Sequence, residues 1–108
     1  MLNQVQLTTA NATILFTPPK RMIFRIESLI VANYGGVVTN LSLYHDNNGT
    51  TSDNTTVIMS AVPFGINLFR VIPIGIYMNN LEGGGGSLIA TAAAGNIFTL
   101  TLYGTEIK

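Results

Sequence analysis

The stretch VVTNLSLYHD, residues 37–46, alternates between two kinds of side chain along its whole length. The even positions after 38 hold three polar residues and one tyrosine, and the odd positions hold Val37, Thr39, Leu41, Leu43 and His45. Because successive side chains of a β-strand point to opposite faces, this period of two indicates a half-buried strand. We therefore predict that the odd positions face a hydrophobic core.

Two further stretches carry the same signal. Residues 97–106 place Phe98, Leu100 and Leu102 on one side and alternate them with threonines and a tyrosine. Residues 21–33 are ambiguous, because their apolar positions also fit helical spacing. Their many β-branched residues favour a long strand, covered on both faces in its second half. The predicted core of the two clean alternations is Leu41, Leu43, Phe98, Leu100 and Leu102.

The rest of the chain divides into short apolar segments separated by turn-forming residues. Prolines at 18, 19, 63 and 73 interrupt strand ladders, Asn33-Tyr34-Gly35-Gly36 is typical of a hairpin turn, and Asp46-Asn47-Asn48-Gly49 is the strongest turn signal. About seven to nine short strands with regular turns are typical of an antiparallel sandwich or barrel. We predict an all-β antiparallel β-sandwich, jelly-roll or immunoglobulin-like. The remaining predicted strands are 5–8, 12–17, 56–62, 66–72, 74–78 and 87–93.

The composition is apolar and nearly uncharged. A chain of 108 residues predicts one domain, 1–108, and hydrophobic residues make up 47% of it. Charged residues make up only 9%, against about 25% in ordinary domains, and the formal net charge is zero. Little self-repulsion keeps copies of such a chain apart. The composition therefore favours a protein that works in contact with other protein.

Nucleic acid and membranes are poor partners for this chain. Phosphate binding requires clustered Lys and Arg, and the only basic pair is Lys20-Arg21. A membrane-surface helix needs the same residues on one face, and no apolar stretch approaches the roughly 18 residues of a spanning helix. Cysteine is absent, which excludes disulfides and thiolate metal sites.

Few residues could support chemistry. His45 is the only histidine, and Asp46 and Asp53 would be its only nearby acidic partners in a metal site. Residues 46–53 lack the spacing of a calcium loop, and the Gly83–Gly86 run lacks the lysine of a phosphate-binding loop. The glutamates lie in separate segments, at 27, 82 and 106. We predict no enzyme, no cofactor, and no catalytic, cofactor-binding or metal-binding residue.

The order of these motifs resembles small virion-associated proteins of tailed bacteriophages. Such proteins open with a short strand and then carry an apolar-Thr-x-Pro segment, a long strand ending in Ala/Thr-Asn, a V-T-x-x-L-x-L strand, a small-residue strand and a final x-L-x-L-x-G-x-E-I strand. Here these are QLTT at 6–9, LFTP at 15–18, IESLIVAN at 26–33, VTNLSLY at 38–44, ATAAA at 90–94 and NIFTLTLYGTEI at 96–107. One departure is LEGG at 81–84, where the family often has L-x-x-G-D.

The resemblance implies a structural protein of the virion. As a homo-oligomer it would adhere to the capsid as a decoration or cement protein, or to the tail, with itself and the major capsid or tail proteins as partners. The alternative is a carbohydrate-binding β-sandwich of a receptor-binding protein, which would use Tyr34, Tyr44, Tyr77 and Tyr103 for stacking. The apolar positions left for protein contacts, or for the second sheet, are Ile23, Leu29, Val31, Phe69, Val71 and Tyr77.

Overall fold

The chain folds into eight antiparallel strands. The structure is a computed structural model that describes residues 1–8, 11–35, 37–46, 52–53, 55–65, 69–79, 86–95 and 97–107, and no helix occurs among them. The strands are β1 (Asn3–Gln6), β2 (Thr13–Phe16), β3 (Ile23–Asn33), β4 (Thr39–Asp46), β5 (Val57–Phe64), β6 (Phe69–Asn79), β7 (Ser87–Ala92) and β8 (Phe98–Ile107).

The strands form two four-stranded sheets. The first sheet has the order β1-β8-β3-β6 and the second has the order β2-β7-β4-β5. The pairs β1·β8, β2·β7, β3·β6 and β4·β5 are those of one long hairpin that ends in the β4–β5 connection. Rolling up that hairpin adds the pairs β3·β8 and β4·β7. The predicted β-sandwich is confirmed, and its strand order is that of a jelly roll, not the four-plus-three order of an immunoglobulin domain.

The inner faces of the two sheets form the core. The five residues of the predicted core, Leu41, Leu43, Phe98, Leu100 and Leu102, are each at most 1% exposed. Phe98 also packs edge-to-face against Phe64, with ring centroids 5.6 Å apart, which joins the two sheets. Val37, assigned to the same face as Leu41, is 53% exposed because it lies before the first residue of β4.

A β-bulge explains the ambiguous pattern of residues 21–33. The pairing of β3 with both of its neighbours shifts between Ile26 and Ser28. Before the bulge the even positions Phe24 and Ile26 are buried, and after it the odd positions Leu29 and Val31 are buried. The change of parity places apolar residues three apart, which imitates a helix.

Three local predictions are wrong. Pro63, predicted to interrupt a strand ladder, lies inside β5 and pairs with Asn40. Residues 66–72 and 74–78 were predicted as separate strands divided by Pro73, yet Pro73 lies inside β6. Prolines are tolerated in edge strands and at bulges, and Pro73 lies in the edge strand β6 opposite the end of the β3 bulge. The predicted hairpin at Asn33-Tyr34-Gly35-Gly36 is also wrong: β3 and β4 belong to different sheets, so this segment crosses between them.

The two sides of the sandwich differ. On one side β1 and β2 are joined by a 2.6 Å hydrogen bond from Asn3 Nδ2 to Leu15 O. The opposite side is bounded by the edge strands β5 and β6, and each carries a proline and a residue with positive φ. These are Pro63 with Ala61 (φ 47°) and Pro73 with Gly75 (φ 67°). Prolines and local kinks on an edge strand prevent another strand from pairing with it.

Replacing Ala61 with glycine is expected to raise the free energy of unfolding by up to about 1 kcal/mol, because glycine adopts positive φ without the steric penalty of a Cβ atom. The matched control is Ala93→Gly, in an exposed segment with ordinary φ, which should lower stability by about 0.5–1 kcal/mol. Urea denaturation measures both variants. Equal losses would show that Ala61 carries no backbone strain.

Candidate functional site

The residues suggested for metal or acid–base chemistry do not assemble into a site. Among the described residues no group of three or more His, Cys, Asp or Glu side chains could hold a metal ion. His45 lies half-buried near the end of β4, and its backbone N–H donates to the carbonyl oxygen of Thr56 at 2.9 Å. Asp53 Oδ1 accepts hydrogen bonds from the N–H and the hydroxyl of Thr55, which together lower the pKa of Asp53. These contacts stabilise a turn.

The two glutamates that the structure describes lie on neighbouring strands. Glu27 is exposed on β3 and accepts a 3.4 Å hydrogen bond from Thr105 Oγ1, whereas Glu106 lies opposite Phe24 on β8. Glu82 lies outside the described residues, as do Gly83 to Gly85 and residues 47–51 of the predicted polar loop.

The half-buried position of His45 predicts a pH dependence of stability. Burial lowers the pKa of His45 below its ordinary value of 6.5, and the opposing effect of Asp46 is smaller. The unfolded chain then binds the proton more readily than the folded one. Stability from this residue is therefore complete above pH 6.5 and is lost as the pH falls through and below that value. Thermal melts of the wild type and His45→Gln measure it: only the wild type should lose stability over this range, and parallel curves would contradict the assignment.

The outer face of the first sheet is the most apolar exposed surface of the described chain. Side chains that alternate with the core residues of β3, β6 and β8 point to it, and the strand registers place Phe69 beside Ala32, and Val71 beside Ile30 and Thr101. Phe69 is 66% exposed and Tyr77 is 63% exposed. Its exposed large apolar residues are Tyr34, Phe69, Val71, Tyr77, Tyr103 and Ile107.

Polar groups on this face bond to one another. Gln6 Nε2 donates to the hydroxyl of Tyr34 at 2.7 Å, and Gln4 Nε2 donates to Thr101 Oγ1 at 3.0 Å. The latter threonine is only 8% exposed although it faces outward. Covering such a face leaves few polar groups without partners, and this lowers the free-energy penalty of desolvation.

Charges on this face occupy one end. Arg25 lies before the bulge of β3 and Glu27 lies in it, whereas the outward positions of β3 after the bulge are Ser28, Ile30 and Ala32. Arg70, the second residue of β6, is on the inward side of that strand. Its Cζ lies over the ring of Phe64, 5.0 Å from the ring centroid. The half of the face around Phe69 is therefore free of charge among the residues the structure describes.

The six apolar positions suggested for contacts divide clearly. Leu29 and Val31 are fully buried on the inner face and belong to the core. Phe69, Val71 and Tyr77 are exposed on the outer face, as a contact surface requires. The sixth, Ile23, is the first residue of β3 and is of intermediate exposure. The sequence pattern did not identify Tyr34, whose position depends on the crossing between the sheets.

The outer face of the second sheet is less exposed. Ile14 on β2 is 48% exposed, but its partner Ile89 on β7 is buried without belonging to the core cluster. Tyr44 lies on the other side of Ile89 and is half-buried, with its hydroxyl 3.4 Å from Thr91 Oγ1. Neighbours on this sheet therefore cover much of its apolar surface.

An apolar cleft opens between the edges of β5 and β6. Its volume is about 130 Å³, close to that of an apolar cavity that holds a benzene ring. The described side chains that line it are all apolar, so it is suited to an apolar group. Its lining residues are Leu43, Ile58, Met59, Ile72, Pro73, Ile74 and Ile76.

Comparisons with known proteins place the chain in no family: no family model, no curated protein and no solved structure matches it. The described residues include no helix that is long and apolar enough to cross a membrane. The functional assignment therefore depends on the chemistry of the surfaces described above.

Proposed function

We propose that this chain is a structural protein of a bacteriophage virion, which associates with itself and adheres to the capsid as a decoration or cement protein, or to the tail. The observation that supports this most is the outer face of the first sheet, where exposed aromatic and aliphatic side chains replace the charged residues of a water-facing sheet. Such a face is suited to burial against protein.

The mechanism is adhesion without a chemical step. Each copy buries a modest apolar area against its neighbours, and the many copies bound to one particle multiply a weak single contact. Because the chain has zero formal net charge, adjacent copies repel each other little. The motif order shared with virion-associated proteins of tailed phages supports the same role.

The test is the protein content of particles released from cells that carry the gene for this chain. Particles are purified through a density gradient and analysed by quantitative mass spectrometry against their main shell protein. The chain should remain with intact particles at a fixed multiple of the shell or tail subunits. Its absence from intact particles would contradict the proposed function.

The alternative is carbohydrate binding, as in a receptor-binding protein of a phage. It is favoured by one observation: Tyr77 and Tyr103 are exposed on the same face, where Tyr77 lies beside Arg25. Sugars stack on such rings while polar neighbours bond their hydroxyls. Binding on a glycan array that is lost in Tyr77→Ala and kept in Tyr44→Ala, whose ring is half-buried, would support this function.

A further inference from the structure

We propose that a second copy of this chain covers the outer face of the first sheet, so that two molecules stack face to face about a two-fold axis. The inference rests on the proposed function, in which copies associate, and it specifies the surface and the symmetry. A two-fold contact uses the same patch on both molecules, so the patch must be complementary to itself.

Charge is the first argument for a second copy as the occupant. A patch that bears charge of one sign cannot face itself without repulsion, whereas the half of this face around Phe69 and Val71 has no charge among the described residues. At the other end Arg25 and Glu27 carry opposite signs on one strand. Two copies can therefore meet without placing like charges together, and the zero net charge of the chain adds no long-range repulsion.

Area is the second argument. Three strands of about ten residues and the short β1 give a flat face of about 550 Å², from strand spacings of about 4.8 Å and a rise of about 3.3 Å per residue. Side chains that stand out from the face raise its accessible area toward the roughly 800 Å² that each partner contributes to a standard interface. A stable dimer therefore needs the whole face, from Phe69 on β6 to Tyr103 on β8.

The edges of the sheets exclude the simplest competing mode. Copies could also associate by pairing β6 with β6 and extending the first sheet. Pro73 and the positive φ of Gly75 interrupt β6 in its middle, so it lacks the continuous run of backbone donors that strand addition requires. Stacking of the two faces needs no free backbone groups. The side-chain hydrogen bonds Gln6–Tyr34 and Gln4–Thr101 form within each copy, so these polar groups need no partner from the other copy.

The experiment compares two double variants of the full chain that both keep the net charge at zero. Phe69→Glu with Val71→Lys changes the proposed interface, and Ile14→Glu with Val38→Lys, at two exposed positions outside this face, is the control. Sedimentation velocity over a range of micromolar concentrations measures association, and thermal melts confirm folding. The first pair should raise the dimer dissociation constant about 30-fold or more, and the control pair should leave it unchanged.

Two further measurements make the outcome decisive. Tyr103→Ala, a milder change on the far side of the face, should weaken the dimer without unfolding the chain, and the wild-type dimer should persist in high salt because its interface holds few ion pairs. A monomeric wild type, unchanged dimerisation of the first pair, or equal loss in both pairs would overturn the inference. A wild-type monomer that is nonetheless present in virions would leave the proposed function standing, whereas a dimer absent from virions would refute that function alone.

Discussion

Replacing Leu100 with alanine should lower the free energy of unfolding by about 2–5 kcal/mol, the range for a large buried side chain replaced by a small one. Leu100 is 1% exposed in the first half of β8, between the two sheets. Its removal leaves a cavity that neighbours on two paired strands, β1 and β3, cannot fill without breaking their registers. Urea denaturation of purified protein measures the change.

The matched control is Tyr103→Ala, three residues further along the same strand and on its opposite face. Tyr103 is 37% exposed, so its removal should destabilise the monomer clearly less than the loss of Leu100. The comparison is made at concentrations where the chain is monomeric, because association would add stability that depends on Tyr103. Equal losses in the monomer would mean that the two faces of β8 are assigned the wrong way round.

Regular alternation was enough to predict the core strands of both sheets. Leu41 and Leu43 of β4 are spaced two apart, as are Phe98, Leu100 and Leu102 of β8. No bulge interrupts the segment from Phe98 to Leu102, so the facing can be deduced from a period of two. The sandwich architecture follows from the number and spacing of such segments. The strand order does not, because it depends on pairings between residues as distant as Asn3 and Leu102.

Where sequence reasoning failed, tertiary context changed the meaning of a local signal. A proline ends a strand in the middle of a sheet, but Pro73 lies in an edge strand beside a bulge, where proline is tolerated. The bulge between Ile26 and Ser28 could not be located from the sequence, because its extra residue, Glu27, only shifts the alternation of apolar residues by one position. It also brings Gly104 so close to β3 that a Cβ there would lie 2.5 Å from Arg25 O.

The candidate interface could be predicted only in part for the same reason. Phe69, Val71 and Tyr77 were recognisable as apolar residues in excess of one buried face, but so were Leu29 and Val31, which the core absorbs. Both groups lie in the first sheet, so only the bulge of β3 and the register between β3 and β6, which set the face of each residue, separate them. Candidate metal or acid–base sites were easier to enumerate, because one histidine and a few carboxylates in separate segments can form few such sites.

Asn33 shows how a turn signal can conceal a structural role. Its side chain is 2% exposed at the end of β3, where Nδ2 donates to Val37 O and to Phe64 O, each at 3.1 Å. Oδ1 accepts from the N–H of Gly35 at 3.0 Å. The amide thus fixes the segment that crosses between the sheets and bonds it to the end of β5 in the second sheet.

Asn33→Ala should therefore lower the free energy of unfolding by about 2–5 kcal/mol, because it leaves three backbone groups without their partner. A buried unsatisfied group such as the carbonyl of Phe64 costs about 1–3 kcal/mol, and the two part-buried groups, which water can reach, cost less. Asn40→Ala, on an exposed position of β4, is the control and should change stability by no more than about 0.5 kcal/mol. Urea denaturation at neutral pH compares them. A loss for Asn33→Ala no larger than that of the control would show that the crossing segment does not depend on the amide.

Asn33→Asp sharpens the test, because it keeps the shape of the side chain and replaces its two N–H donors with an acceptor. The ionised carboxylate would face the carbonyl oxygens of Val37 and Phe64 in a buried position. Burial and these acceptors disfavour the charge and raise the pKa of the new carboxyl above its unfolded value. The folded protein then binds the proton more readily than the unfolded chain, so this variant should be most stable in acid and lose stability as the pH rises. Once protonated, the carboxyl can donate to one of the two carbonyls and restore part of the lost bonding. Denaturation curves of wild type and variant between acidic and neutral pH measure the difference, and a variant whose deficit stays constant over that range would show that the amide protons of Asn33 do not hold the two sheets together.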